Sequence, residues 1–474
     1  MEVPIMSNLN HELADFVVET RYQDLPAAVV HDVKYLLLDS IGCALAGISV
    51  DPGKMALTLA SKMGGSPEAS IIGTGDKYSC STVALANGDL IRAPDYSAMP
   101  LGGHTPEQVV PPALAIAEAT GASGKELILA MVLGFEVAAR LARGSTDKFR
   151  FGGPDVKNFR VSESIGPSAG NFGAAAAAAK VIGLGRDKMA NCLGIAGHLT
   201  QIQTNTKFTF GAHRPMTKYG VPGWQNLGGV MAAWLADMGY MGDTTVLDSV
   251  NGPWKFLNLE QWDPERVTEG IGKTWAFTSV NYKPYPCCRM LHSQVDCMYD
   301  IINKNHLVPE EITSVKAWGN PVYDYPLFTN RELNSVVDVQ FGLHYILGMV
   351  ANRVTIGVEW QDMETARSPK ITEFAKKVSF QSHPGFETQR AKDPSSHLGK
   401  VEVVAKGKTY VEEHTHSKGT PNSELALTDE ELEQKFRHNA SRVLTKDKIE
   451  GAYKAILGVE KVKNISEIVK QITL

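Results

Sequence analysis

The segment Gly170–Leu184, GNFGAAAAAAKVIGL, constrains the fold more than any other stretch of the chain. Its six consecutive alanines, Ala174–Ala179, favour a helix, because alanine has the highest helix propensity. A helix with so little side-chain volume lets its neighbours approach closely, so it implies other helices packed around it. The flanking sequence supplies them. Leu25–Ala46 shows apolar residues at helical spacing and is followed by Gly47. Val109–Thr120 is a second candidate, with Pro111 and Pro112 in the expected first turn, where proline is tolerated. Gly124–Ala142, Lys188–Thr200 and Leu227–Met238 continue the pattern. Most of these helices are apolar nearly all round, as expected of a many-helix core.

The pattern changes near Trp275. Ile312–Asn320, Lys377–His383 and Lys400–His414 alternate with period two and predict strands, with Gly407 at a hairpin turn. Helical stretches lie between them, at Ser335–Ala351 and Ser368–Lys377. Thr428-Asp429-Glu430-Glu431 is an N-cap signature opening a helix over Thr428–Leu444. The expected fold is mainly α: a large all-helical domain plus a smaller α+β lid domain. The boundaries are 1–272 for the first part of the helical domain and 273–412 for the lid. Residues 413–474 form a helical segment rejoining the first domain.

With 474 residues, the chain exceeds the size at which one core usually keeps growing. A net charge of −5 gives no basic excess for nucleic-acid binding. The apolar run Leu127–Phe135 is about half a membrane span, and the N-terminus lacks a signal-peptide pattern. The chain is expected to be cytoplasmic, with no membrane or nucleic-acid partner. The cysteines, Cys43, Cys80, Cys192, Cys287, Cys288 and Cys297, match no zinc or CxxC spacing. The adjacent Cys287 and Cys288 are a weak candidate for thiol or metal chemistry, against the commoner role of small buried hydrophobes.

Lys283 lies in Asn281-Tyr282-Lys283-Pro284-Tyr285-Pro286-Cys287-Cys288. The two prolines fix φ near about −65° and make a stiff, non-helical turn that can aim a side chain. A lysine in partly apolar surroundings has its ammonium destabilised and can exchange protons near neutral pH. Asp95 and His104 are separated by a Pro/Gly-rich loop that can bring them to one point. A carboxylate beside the imidazole would raise its pKa and fix its tautomer, fitting His104 to act as general acid or base.

The order of several strings resembles the MmgE/PrpD family nearly end to end. They are LLLDSIGCALAG from Leu36, LANGDLIRAPDY ending at Tyr96, His104 followed by VVPPALAIAEATG, GFEVAARL, the alanine-rich segment, MTKYGVPGW around Lys218, KPYPCCRMLHSQVD around Lys283 and VDVQFGLHY around Gln340. The family includes 2-methylcitrate dehydratase, cis-aconitate decarboxylase and iminodisuccinate epimerase. The resemblance implies a helical domain built from both chain ends with an α+β lid. It also implies a homodimer, and a basic cleft needing no metal, iron–sulfur cluster or organic cofactor. It places Asp95, His104, Lys218 and Lys283 in the active site, acting on a small-molecule carboxylate. Two lysines converging there would lower the pKa of at least one and stabilise an enediolate.

Lys207, Arg214 and Tyr323 are candidate substrate contacts, and His213 lies in the same segment as the first two. Arg289 and His292 follow Cys288, and His292 is assigned structural hydrogen bonding. Two departures stand out. Many relatives carry Asp-Phe/Tyr-Asp-Asp-Thr where this chain has Asp95-Tyr96-Ser97-Ala98-Met99, and many carry a histidine where it has Ser164, near Arg160. These argue against equating the chain with 2-methylcitrate dehydratase or cis-aconitate decarboxylase and point to a family member with a different substrate. A dehydratase or decarboxylase is the leading expectation. An epimerase of an α-substituted dicarboxylate, or a non-catalytic carboxylate-binding homologue, are the alternatives.

Overall fold

The computed structural model describes residues 9–101, 103–145, 166–201, 205–211, 214–218, 220–248, 252 and 262–474. The chain is mainly α, with a smaller α+β part. The helices that build the first part are α1 (Ala27–Gly47), α2 (Cys80–Arg92), α3 (Pro106–Thr120), α4 (Gly124–Gly144), α5 (Gly166–Ile182), α6 (Arg186–His198) and α7 (Pro222–Asp237). The alanine-rich α5 runs between α3, α4, α6 and α7, with Ala174–Ala179 fully buried. Backbones meet here: a Cβ on Gly173 would lie 2.6 Å from Gly134 O of α4, and one on Gly229 of α7 would lie 2.6 Å from Ala174 Cβ. At interior packing density nothing larger fits at these crossings.

α3 starts at Pro106, earlier than the sequence suggests, so Pro111 and Pro112 lie inside the helix and not in its first turn. A proline leaves the carbonyl four residues back without its helical donor. For Pro111 that carbonyl is Glu107 O, and Asn226 Nδ2 of α7 donates to it at 2.9 Å. The neighbouring helix repairs what the proline breaks.

The second part is built on a four-stranded sheet. The strands, numbered after a short hairpin of β1 (Ala69–Ser70) and β2 (Lys77–Tyr78), are β3 (Ile312–Gly319), β4 (Val378–Ser382), β5 (Gly399–Ala405) and β6 (Lys408–His414), in the order β4-β3-β5-β6. β3 and β4 are parallel, with Val315 opposite Val378, so the chain between them must cross over, and it does so through helices. β5 and β6 form the expected hairpin. Its two turn residues, Lys406 and Gly407, have φ of 53° and 69°, the left-handed values that such two-residue turns require. Val401, Val403 and Ala405 of β5 point into the core, and α8 (His292–Lys304) packs on β5 and β6. The helix expected over Ser335–Ala351 is two, α9 (Val336–Phe341) and α10 (Leu343–Ala351), broken at Gly342, whose ψ of 87° is not helical.

Two hydrophobic cores result. One gathers α1–α7 together with Leu432, Phe436, Ile449, Ile456 and Ile468 from the chain end. The other runs from Tyr285 to Ala405, joined by Ala46, Val50, Ala93 and Phe208. α11 (Asp429–Ala440) opens with a reciprocal Thr428/Glu431 capping box and packs on α1. Among the described residues no single helix is long and apolar enough to cross a membrane.

Candidate active site

The seam between the two cores carries an unusual backbone. Asp95, just past the end of α2, has φ 49°, and Lys218 has φ 50°. The left-handed region costs an ordinary L-residue about 1–2 kcal/mol, and such strain concentrates at functional sites. Both side chains meet there. Lys218 Nζ donates to Asp95 Oδ1 at 2.8 Å, and Lys283 Nζ lies 3.2 Å from Oδ2 and 3.0 Å from Asp95 O. All three are nearly excluded from solvent, at 3% exposure for Asp95, 4% for Lys218 and 1% for Lys283. Lys218 also stands 5.6 Å from the centre of the Phe341 ring, on α9.

Charge sets the protonation of this group. Burial pushes the Asp95 carboxyl up, but Lys218 and Lys283 together outweigh it and hold it well below the usual carboxylate range. Lys218 is pulled down to about 8: burial disfavours its ammonium more than Asp95 favours it, and Arg92 and Lys283 add repulsion. His104 is also buried. Desolvation lowers its pKa well below normal, and Lys283 and Arg92 act in the same direction against Asp95. The sequence suggests Asp95 as the partner that raises the His104 pKa. The structure corrects this: both Asp95 oxygens are engaged by lysines, the surroundings of the ring are net cationic, and the imidazole is neutral at neutral pH.

Several residues not singled out by the sequence complete the arrangement. Glu107, fully buried on α3, pairs with Arg92 Nη1 at 2.6 Å and accepts from Ser97 Oγ at 2.9 Å. An acid in the first turn of a helix reads as a complement to the helix dipole, so nothing local marked it as buried. Lys435 of α11 donates to Asp39 Oδ1 and Tyr96 O, both at 2.7 Å, and to Lys283 O at 3.0 Å. Asp39 in turn accepts from Ala98 N at 2.8 Å. One buried cation of the last helices thus holds the two segments that present Asp95 and Lys283. From the second core, Gln340 Nε2 donates to Ala93 O at 2.9 Å, while Gln361 Nε2 donates to Pro94 O and, at 2.9 Å, to Pro286 O. Tyr96 Oη donates to Pro284 O at 3.1 Å.

The three candidate substrate contacts fare differently. The Arg214 guanidinium is spent on protein groups: Nε donates to Leu327 O at 2.5 Å, Nη2 to Asn330 O at 2.8 Å, and Nη1 pairs with Asp338 at 3.2 Å. It ties the 214–218 turn to the second core and has no fork left for a carboxylate ligand. Tyr323 is a packed residue of the second core, its hydroxyl 2.6 Å from Met290 O and 2.9 Å from Gln294 Oε1. Lys207 is exposed on the short helix Asn205–Phe210, whose Phe208 stacks edge-on against Phe341. His213, Ser164 and Arg160 lie outside the described residues.

His292 has structural bonds, as the sequence suggests, and shares them with Arg289. Arg289 Nη1 reaches Lys418 O at 2.6 Å and His292 Nδ1 at 2.9 Å, and His292 Nε2 lies 3.3 Å from Cys287 O. Cys287 and Cys288 are buried thiols. Desolvation raises Cys287 well above its ordinary value and pushes Cys288 up to about 12, so neither is a thiolate at neutral pH. Among the described residues one His/Asp/Glu trio has ligand atoms within 4.8 Å of one another, Asp300, Glu412 and His414, and Lys304 already bridges the two carboxylates.

A buried carboxylate clamped between two lysines, beside a neutral imidazole, is suited to binding an anion and moving a proton. The chain belongs to the MmgE/PrpD family: the MmgE/PrpD N-terminal domain matches residues 11–264 and the C-terminal domain residues 285–458. It is 25% identical to a cis-aconitate decarboxylase-like protein, oryM, of Aspergillus oryzae, over 98% of this chain and 97% of that protein. It is 23% identical to the cis-aconitate decarboxylases of Aspergillus terreus and Homo sapiens, each over 98% of this chain and over 96% and 94% of those proteins.

Proposed function

We propose that this protein is a lyase acting on a small di- or tricarboxylate, by dehydration or decarboxylation through an enediolate-like intermediate. The end-to-end similarity to cis-aconitate decarboxylases supports the reaction class. The observation that carries the reading is the bonded group Lys218–Asp95–Lys283 beside neutral His104. A substrate carboxylate competes with Asp95 for the two ammonium groups. Charge developing on that carboxylate as a C–H or C–C bond breaks is stabilised in a site with little water, where electrostatic effects are strong. His104, neutral, accepts or returns the proton, and Lys218, with a pKa near 8, can share that task. If water leaves from the β carbon the reaction is a dehydration; if CO2 leaves, the electron pair stays on the remaining carbon and is protonated.

The test is proton NMR of the protein in D2O with a panel of hydroxy, unsaturated and amino-substituted di- and tricarboxylates, run on the wild type and on Lys283→Ala. The expected result is solvent deuterium appearing α to a carboxylate, or net loss of water or CO2, in the wild type alone. No exchange or conversion by the wild type, or equal turnover by Lys283→Ala, refutes the reading. Deuterium uptake with inversion at that carbon, and no loss of water or CO2, would identify an isomerase instead.

A further inference from the structure

Two backbone carbonyls of the site converge on one atom, Lys435 Nζ of α11. One belongs to Tyr96, the residue after Asp95, and the other to Lys283 itself. Two acceptors stay side by side in a buried place only with a donor of two or more hydrogens between them. The ammonium of Lys435 has three, and three acceptors take them: Asp39 Oδ1, Tyr96 O and Lys283 O. Nζ also lies 3.9 Å from the centre of the Tyr96 ring. Asp39 of α1, with 1% of its side chain exposed, balances the charge, so the pair brings order to the site without adding net charge. Around this point the segments bearing Asp95 and Lys283 bond each other directly. Met99 N donates to Asn281 O at 2.8 Å, and Asn281 N to Met99 O at 3.0 Å. The chain beyond β6 closes on the same turn: a Cβ on Gly419, whose φ is 87°, would lie 2.0 Å from Tyr282 O and 3.1 Å from Pro284 Cδ. A buried ion pair is a weak source of stability and is often replaced by apolar residues without loss. An apolar pair of the same volume could not hold two carbonyls on one atom.

We propose that Lys435 is a positioning residue for the reaction: by binding the Tyr96 and Lys283 carbonyls together, it sets where the Asp95 carboxylate and the Lys283 ammonium stand when a substrate carboxylate enters between them. This rests on the reading of Lys218–Asp95–Lys283 as the reacting group. A misplacement of about 1 Å by a change away from the chemistry can cost about 100-fold in rate. The loss falls on rate more than on binding. Displaced donors can still follow a mobile bound substrate, whereas charge developing in the transition state needs them already in place.

Carbon NMR of full-length protein labelled at lysine Cε reads the group without turnover, the Lys218 and Lys283 signals being assigned by their loss in Lys218→Arg and Lys283→Arg. Two variants are compared with the wild type: Lys435→Met, and Lys435→Met with Asp39→Asn, which leaves no buried carboxylate without its cation should the single variant fail to fold. Both site signals are expected to move. The rate of substrate deuterium exchange should fall about tenfold or more, with KM within a few-fold of wild type. A role confined to stability would lower the denaturation midpoint but leave the signals and the rate of the folded protein unchanged. Unmoved signals, or an unchanged rate where the wild type exchanges substrate, therefore overturn the proposal. Signals that depend on Lys435 in a wild type that exchanges no carboxylate substrate uphold the positioning and refute the lyase reading instead.

Discussion

Asp95 concentrates the energetic risk of the site in one side chain. Replacing it by asparagine leaves two lysines buried without a counter-charge, and the expected cost is about 3–5 kcal/mol, read by urea denaturation at pH 7. Lys218 makes a separate prediction through its lowered pKa. In the folded protein it loses its proton near pH 8, whereas in the unfolded chain it keeps it to about 10.4. Between those values the unfolded state binds more protons, so this group contributes stability that grows as pH rises from 8 and is lost as pH falls back through it. Lys218→Met is expected to flatten that part of the stability–pH curve relative to wild type. The thiols predict the opposite of reactivity: Cys288→Ser should keep turnover within a few-fold, and iodoacetamide should leave the native protein unlabelled at pH 7.5.

The elements show what a sequence can and cannot display. Period-two alternation located β3, β4 and the β5–β6 hairpin to within a residue or so, because each strand buries one face against a single core. The break at Gly342 and the early start of α3 were hidden, and the second depends on a partner far along the chain. Asn226 donates to the carbonyl that Pro111 deprives of its helical donor, and no local pattern announces that. Within the site, Lys283, Lys218, Asp95 and His104 stood out through the motifs around them. Glu107 and Lys435 did not, because the burial of one helical position among polar neighbours is a tertiary fact. The close crossing of α4 and α5 supports a direct check: Gly173→Val forces a side chain against Gly134 O and is expected to cost about 1–3 kcal/mol or more by overpacking, measured as a lowered denaturation midpoint. Lys435→Met should destabilise the fold, and a double-mutant cycle with Asp39→Asn should show a coupling of about 0.5–3 kcal/mol for this bonded pair.

At the scale of the molecule, the candidate site belongs to neither core alone. Asp95, His104 and Lys218 stand at the edge of the helical core, Phe341, Gln340 and Gln361 reach in from the second, and Lys435 comes from the chain end. A chain truncated before Asp429 gives up Leu432, Phe436, Ile449 and Ile456 from the first core as well as this lysine. It is expected to lose its cooperative unfolding transition by calorimetry. The same dependence has a meaning during synthesis. Domains tend to fold as they emerge, N-terminal portions first. The carbonyls of Tyr96 and Lys283 wait for a cation that is made 152 residues after Lys283. A nascent chain that has not yet reached Lys435 thus carries nearly all the proposed chemistry yet lacks the pin that sets it.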